Sequence, residues 1–481
     1  MLGHLIRKEV LDHLLSLRFL ILSALGALVI WLSLYDGYAY YQGCLKDYRL
    51  AQATTEERVR ELVMGPHQEV WDNWREVGAF GYLNHKPPTP MSIFVRGQDQ
   101  TLPRSIASAR ARRMNRSPAA VEPVMELFLP MDLGLIVQTV LSLFVLLLTY
   151  DAVCGEKEAG TLRLIASFPA PRHQLLLGKL LGTLIPTLAT VGIPLLLGIG
   201  VVFLLPDVGV DGSALARLWL ILVAFGLYLA AFFCLGLFVS CMTHRPATSF
   251  VILMAIWVGA VIVLPRLSLI VADGVRPASS VQELQTEKAM ISSQAQAQRD
   301  VLGNQWTREH SRLGQEWLRS PEGQEAYQIY NNKVATDAYE ATQVGSKRLE
   351  EAFQNRFNAR LDLAVDLARF TPAFAVNHAT VRLAGTGEDR HRRFESDYAR
   401  HKERHSAWIL KKDLVFRLEL ARPEKFGKPR WDISDIPRFI YREAWPKEDV
   451  QAALTDLGML VLWGLTFFAG AYVALLRYDF R

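Results

Sequence analysis

Four cysteines among 481 residues are too few for a disulfide framework, and Cys44, Cys154, Cys234 and Cys241 read as ordinary thiols. Net charge is scarce too: a formal +5 over this length gives no case for a nucleic-acid partner. A phosphate loop is missing. Gly178-Lys179 is followed by Leu180, without the upstream glycine or the downstream Ser/Thr that such a loop needs. Ionisable residues are absent from the middle of every long apolar run, where the polar residues are Gln138, Thr139, Thr183, Thr187 and Thr190. Carriers coupled to protons or ions need a titratable group at that depth, so this argues against a secondary transporter or pump. If this chain takes part in driven movement, the energy comes from another subunit.

What is present is unevenly spread. The chain is 51% hydrophobic and 21% charged, with a mean hydropathy of only +0.14. Apolar runs sit in a few blocks with the charge between them, as in a membrane domain with large water-exposed insertions. Six runs are long enough to span: Phe19 to Leu34, Leu133 to Tyr150, Leu175 to Leu205 (carrying Pro186 and Pro194), Leu218 to Cys241, Ser249 to about Leu264, and Ala452 to Leu476. The first follows Arg7, Lys8 and Arg18, as a signal peptide would, but no small-x-small cleavage pattern follows Leu34, so it reads as an anchor.

The expected fold is mainly α: a polytopic membrane protein with six transmembrane helices and a large, mostly helical extracytoplasmic domain. Its divisions fall at 1–35 (an N-terminal helix and the first span), 36–130 (a first insertion), 131–271 (the second to fifth spans, with a short charged connector at 151–174), 272–450 (the second insertion) and 451–481. Ser280 to Phe370 has few breakers apart from Ser320-Pro321, and Leu349, Phe353, Phe357, Leu361 and Val365 recur at helical spacing. This predicts two or three long helices packed as a hairpin. About 40 residues in one helix would reach on the order of 60 Å.

The short segments set the orientation. The N-terminal tail, the connector with Lys157, Arg163 and Arg172, the turn at Arg245 and the C-terminal tail all carry Lys or Arg, whereas Pro206 to Ala216 carries only Asp207 and Asp211. Both tails are therefore expected in the cytoplasm of a bacterial inner-membrane protein, and both insertions outside.

The connector is the most specific segment. Glu156 and Glu158 precede the Gly160-Thr161 break, Leu162, Leu164 and Ile165 give an apolar face, and Pro169 and Pro171 end it. That describes a short amphipathic helix along the membrane, suited to being pushed. The segment resembles the coupling region of ABC-2 type permeases, in which Glu-x-Glu-x-Gly-Thr-Leu precedes Pro-x-x-Arg and a Gly-Lys opening the next span. The matching residues are Glu156, Glu158, Gly160, Thr161, Leu162 and the adjoining Arg163, then Pro169 and Arg172, then Gly178 and Lys179. Leu5 to Glu9 through Arg18-Phe19 is similar to the elbow helix that opens these permeases. The two large insertions depart from the simplest members and look like the DUF3526 subgroup, on Phe370-Thr371-Pro372-Ala373-Phe374 and Leu383-Ala384-Gly385-Thr386-Gly387.

The resemblance implies a permease subunit paired with an identical or paralogous copy, the first and fifth spans at the seam, above a dimer of cytoplasmic ATPases. Residues 156 to 172 would dock in a groove of the ATPase. ATP and Mg would be bound and used there, with no cofactor and no catalytic residue in this chain, and export is the expected direction.

Weaker constellations remain. Arg104, Arg110, Arg112, Arg113 and Arg116 could meet lipid headgroups, an anionic ligand or an acidic partner, or form a solvated helix face. His401 and His405 stand at i and i+4, a spacing that can chelate zinc, but Lys402 occupies the position where the protease signature needs Glu, so a solvated helix is expected and no metal. Gly178 to Gly182 matches a close-packing helix motif. The rival functions are an ATP-driven mechanical device acting through the outer domain on an envelope partner, and a membrane-bound hydrolase, which the degraded His pair alone would support.

Overall fold

The computed structural model describes residues 2–64, 84–106, 131–161, 172–209, 211–277, 279–314, 317, 320–420 and 447–477, with 437, 439 and 441. It is mainly α, and six helices are long and apolar enough to cross a membrane: Leu17–Glu57, Leu133–Glu158, Leu177–Leu204, Gly212–Met242, Pro246–Val275 and Glu448–Arg477. The chain divides into two compact units, one of residues 1–262 with 371–481 and one of Val263–Phe370.

The first unit opens with α1 (Leu2–Leu14) and α2 (Leu17–Met64). The expected first span ends at Leu34, but α2 runs on for 30 residues. Residues 51–64, with three Glu, two Ala, two Arg and no Gly or Pro, favour continuation. The second span, α3, consists of Leu133–Ile136, a π-helical turn Val137–Leu141 and Ser142–Thr149. Then come α4 (Cys154–Glu158), α5 (Arg172–Leu204), α6 (Gly212–Met242) and α7 (Pro246–Trp257), which passes into a second π-helical stretch, Val258–Val263. The caps follow from residue type: Asp132 and Asp211 accept the N–H groups of Leu135 and Ala214, and Pro246 takes the first turn of α7, where its missing N–H costs nothing.

α6 is the axis of this unit. In its most apolar stretch 61% of residues are buried, against 17% in the fifth and sixth spans, which leaves those two faces for lipid or another chain. Tyr228, Phe232 and Phe233 of α6 pack with Leu133, Leu141 and Leu146 of α3 in one continuous core. Lipid tails are as apolar as these side chains, so close van der Waals packing and internal hydrogen bonds hold such a bundle, more than escape from water.

The second unit contains α8 (Leu264–Val275), α9 (Val281–His310) and α10 (Pro321–Ala368). Ser280 and Glu283 form a capping box at the start of α9, while Ser320 caps α10 with Pro321 in its first turn. α9 and α10 pack on each other as the expected hairpin, and Phe353 and Phe357 stack at 6.1 Å. At 48 residues α10 is about 72 Å long.

The single insertion expected at 272–450 is split between the units. After Phe370 the chain returns to the first unit as α11 (Pro372–Ala384), α12 (Glu388–Leu420) and α13 (Lys447–Arg477), and α11 packs on α6 and α13. The reason lies in the motif at 370–387. Thr371 caps α11 and Pro372 starts it; Ala373, Ala375, Val376, Ala379 and Leu383 bury one face; Gly385 ends it in the left-handed region at φ 64°.

Residues 84–106, from the first insertion, close over this assembly as a crown. A two-residue antiparallel ladder pairs β1 (Asn84–His85) with β2 (Ser105–Ile106), and Met91, Ile93, Phe94 and Val95 are buried below it. Gly37 of α2 lies so close that a Cβ there would collide with the Ile93 carbonyl oxygen. The N–H of Gln98 donates to Thr386 O at 3.1 Å, and the Arg96 N–H donates to Asp132 Oδ2 at 2.9 Å, so the crown is fastened to α11 and to the start of α3.

Candidate functional site

At the opposite end of α3 from the crown, α4 is joined to three other helices. Lys179, in the first turns of the third span, is 2% exposed, and its ammonium lies 2.8 Å from Glu156 Oε1 and 3.1 Å from Glu9 Oε1. Glu9 comes from α1, which packs along α5. Gly182 makes that approach possible, because a Cβ there would run into Glu9 Cβ. Lys8 lies 3.7 Å from Glu156 on the exposed side. One turn further, the His13 ring meets Thr183 Oγ1 at 2.8 Å, and burial pushes His13 below its ordinary pKa.

A second set of bonds ties α4 to the end of α6. Ser240 Oγ accepts the N–H groups of Val153 (3.0 Å) and Cys154 (3.1 Å), which start α4. Lys157 Nζ donates to the carbonyls of Cys241 and Thr243, the latter at 3.0 Å, and so places a cation at the negative end of α6. Arg18 of α2 pairs with Asp151 at 2.8 Å and lies over the Tyr150 ring. A five-residue helix is thus bound to α1, α5 and α6, with the first span tied to the residues just before it.

The end of α4 is different. Glu158, Ala159, Gly160 and Thr161 are exposed. Gly160 turns the chain at φ 73° with no atom near its missing Cβ. The structure therefore separates the two acids treated alike in the sequence: Glu156 is spent on Lys179, and Glu158 faces outward. Leu162, Arg163 and Pro169 lie outside the described residues, as does the side chain of Arg172, whose backbone opens α5.

Of the arginines considered for anions, Arg104 is engaged within the crown. It donates to Tyr40 Oη (2.5 Å) and to Asp99 (3.3 Å), and Asp99 also pairs with Lys86 at 3.0 Å. Burial lowers the Lys86 pKa, with Asp99 opposing. Arg110, Arg112 and Arg113 lie outside the described residues.

One expectation is corrected. The helix with His401 and His405 is not solvated on that face: both rings are buried, beside Phe439 and Trp408 respectively, and burial pushes His401 down to about 4. The signal was present, since Phe394, Tyr398, His401, His405 and Trp408 alternate spacings of four and three, a continuous helical stripe. Asp456, fully buried about two turns into the sixth span, meets His378 Nδ1 of α11 at 2.6 Å. No group of three or more His, Cys, Asp or Glu that could hold a metal occurs among the described residues.

Six candidate spans, with a short charged helix ion-paired to the first turns of the third, define a polytopic helical membrane protein built around a basal joint. Comparison with known families agrees and goes further. A model described as ABC-2 family transporter protein matches residues 4–316, and Domain of unknown function (DUF3526) matches residues 281–451. The chain belongs to the ABC-2 transporter family. It is 57% identical over 51 residues to a probable ABC transporter permease protein NosY of Pseudomonas aeruginosa, covering 10% of this chain and 18% of that one. It is 40% identical over 97 residues to the protein of the same name from Stutzerimonas stutzeri, covering 20% and 32%. The chain therefore matches less than a third of the length of either relative.

Proposed function

We propose that this chain is the membrane-spanning permease subunit of an ABC-2 type transporter, moving substrate outward across the bacterial inner membrane with ATP hydrolysed by a separate ATPase. The observation that carries the reading is the joint: Glu158 to Thr161 are exposed for docking, while Glu156 and Lys157, directly before them, are fixed to α1, α5 and α6. Force applied at the tip then reaches several spans through charge-assisted bonds in a buried setting, where they are strong. Family membership supports the reading, and the NosY-named relatives are themselves described as probable ABC transporter permeases. In this arrangement two permeases, identical or paralogous, sit above two ATPases, the tails and α4 are cytoplasmic, and the crown and the α9–α10 hairpin lie outside. ATP and Mg belong to the ATPase.

The test is co-expression of the full chain with a cognate ABC ATPase. The wild type should purify as a complex. Glu158→Lys should lose the ATPase while keeping the melting temperature of the permease. A complex indifferent to that reversal would sink the docking role.

A second reading is favoured by α10, whose length of about 72 Å exceeds what gating a small pore requires. Here ATP-driven movement acts through the outer hairpin on an envelope partner, without transport. Accumulation of substrate in liposomes carrying the complex would decide for transport.

A further inference from the structure

Two spans depart from α-helical winding, at Val137–Leu141 in α3 and at Val258–Val263 after α7. Such π turns accommodate an extra residue and concentrate at functional positions. In α3 the bonding that holds the turn can be followed atom by atom. An α-helix would pair the Ser142 N–H with the Gln138 carbonyl four residues earlier. Here that N–H donates to the carbonyls of Val137 and Thr139 instead. The Gln138 carbonyl, inside an apolar bundle, takes the Tyr228 hydroxyl of α6 at 2.8 Å and the Ser142 hydroxyl at 2.6 Å. Ser142 Oγ in turn accepts the Trp257 indole N–H at 3.0 Å, on the last residue of α7 before the second π stretch. Tyr228 and Ser142 are fully buried, so water cannot stand in for them.

We propose that Tyr228 is a positioning residue that holds α3 in the π form of a two-register switch, through which displacement of the joint reaches the crown. α3 bridges the two: it starts at Asp132, which accepts the Arg96 N–H of the crown, and leads along the chain into Val153 and Cys154, held by Ser240. In the second register the extra residue is absorbed, and the Ser142 N–H returns to the Gln138 carbonyl. The helix on one side of the turn then rotates by about 100° against the other, one residue's share of a 3.6-residue turn. The Gln138 carbonyl is satisfied in both registers, by hydroxyls in one and by an amide in the other. Two packings that each satisfy their polar groups can exchange as discrete states.

This role rests on the coupling reading, but its first readout needs no ATPase. Structures of the full chain in lipid nanodiscs should show Tyr228→Phe with an unbroken α-helix over 133–149 and the Ser142 N–H on Gln138 O. Ser142→Ala, which removes the other hydroxyl, should shift the same way and decides the matter if the first variant fails to fold. Trp257→Phe keeps both donors and should keep the π turn. A π turn unchanged in Tyr228→Phe and Ser142→Ala, or lost in Trp257→Phe, overturns the switch. In the ATPase complex, an α-register chain should change the stimulation of ATP hydrolysis severalfold; unchanged stimulation would refute the transmitting role while leaving the docking reading intact.

Discussion

The joint and the crown, at opposite ends of α3, each bury a lysine against carboxylate. Lys179 is shared by Glu9 and Glu156, from two other helices, whereas Lys86 pairs with Asp99 of its own short segment. The crown is fastened to the bundle by backbone N–H bonds, from Arg96 to Asp132 and from Gln98 to Thr386, and by side chains to α2, where Arg96 pairs with Asp36 at 2.6 Å and Arg104 meets Tyr40. The joint is fastened largely by charge. The difference lies in the buried lysines: the Lys179 cluster joins three helices beside the exposed tip of α4, whereas the Lys86 pair stays within one segment.

The largest expected effect follows from the shared lysine. Lys179→Met leaves the buried Glu9 and the half-buried Glu156 without their common partner, with only the exposed Lys8 at 3.9 and 3.7 Å, and should cost about 3 kcal/mol, read as a fall in melting temperature of the purified chain. Lys86→Met should cost less, because Asp99 keeps Arg104 at 3.3 Å. Equal losses would erase the contrast. Next, Gly37→Ala drives a methyl group into the Ile93 carbonyl and should cost roughly 1–3 kcal/mol, loosening the crown without weakening ATPase binding.

Acid should act on the α12 face. His401 is held at about 4 by burial, below the 6.5 of an unfolded chain, so the unfolded state takes up the proton first. Its contribution to stability is complete above pH 6.5 and is lost as pH falls toward 4. Melting curves across that window should flatten in His401→Phe; an unchanged slope would show that burial of this ring is not what acid disturbs. The smallest expected effect is at Glu158, where removal of an exposed side chain by Glu158→Ala should change stability by under about 0.5 kcal/mol.

How much of this was legible in the sequence depended on distance along the chain. The spans declared themselves as apolar runs, and the α9–α10 break at Ser320-Pro321 as a local cap. The rejoining of 371–481 to the membrane unit was hidden, because it depends on contacts such as Gln98 with Thr386, which no local pattern encodes. The same holds at the joint. Glu156 and Glu158 read alike until Glu9 and Lys179, remote in sequence, are brought to one of them. His401 and His405 are the converse case: the stripe from Phe394 to Trp408 was local and sufficient, and the charges around it obscured it.

The central claim is that Glu156 transmits and Glu158 docks. ATP hydrolysis by the purified complex carrying Glu156→Gln measures this most directly. The account predicts that the ATPase still binds, since Glu158 to Thr161 are untouched, but that its stimulation by the permease falls severalfold as the tie to Lys179 is weakened. A Glu156→Gln complex that forms and hydrolyses ATP at the wild-type rate would contradict it.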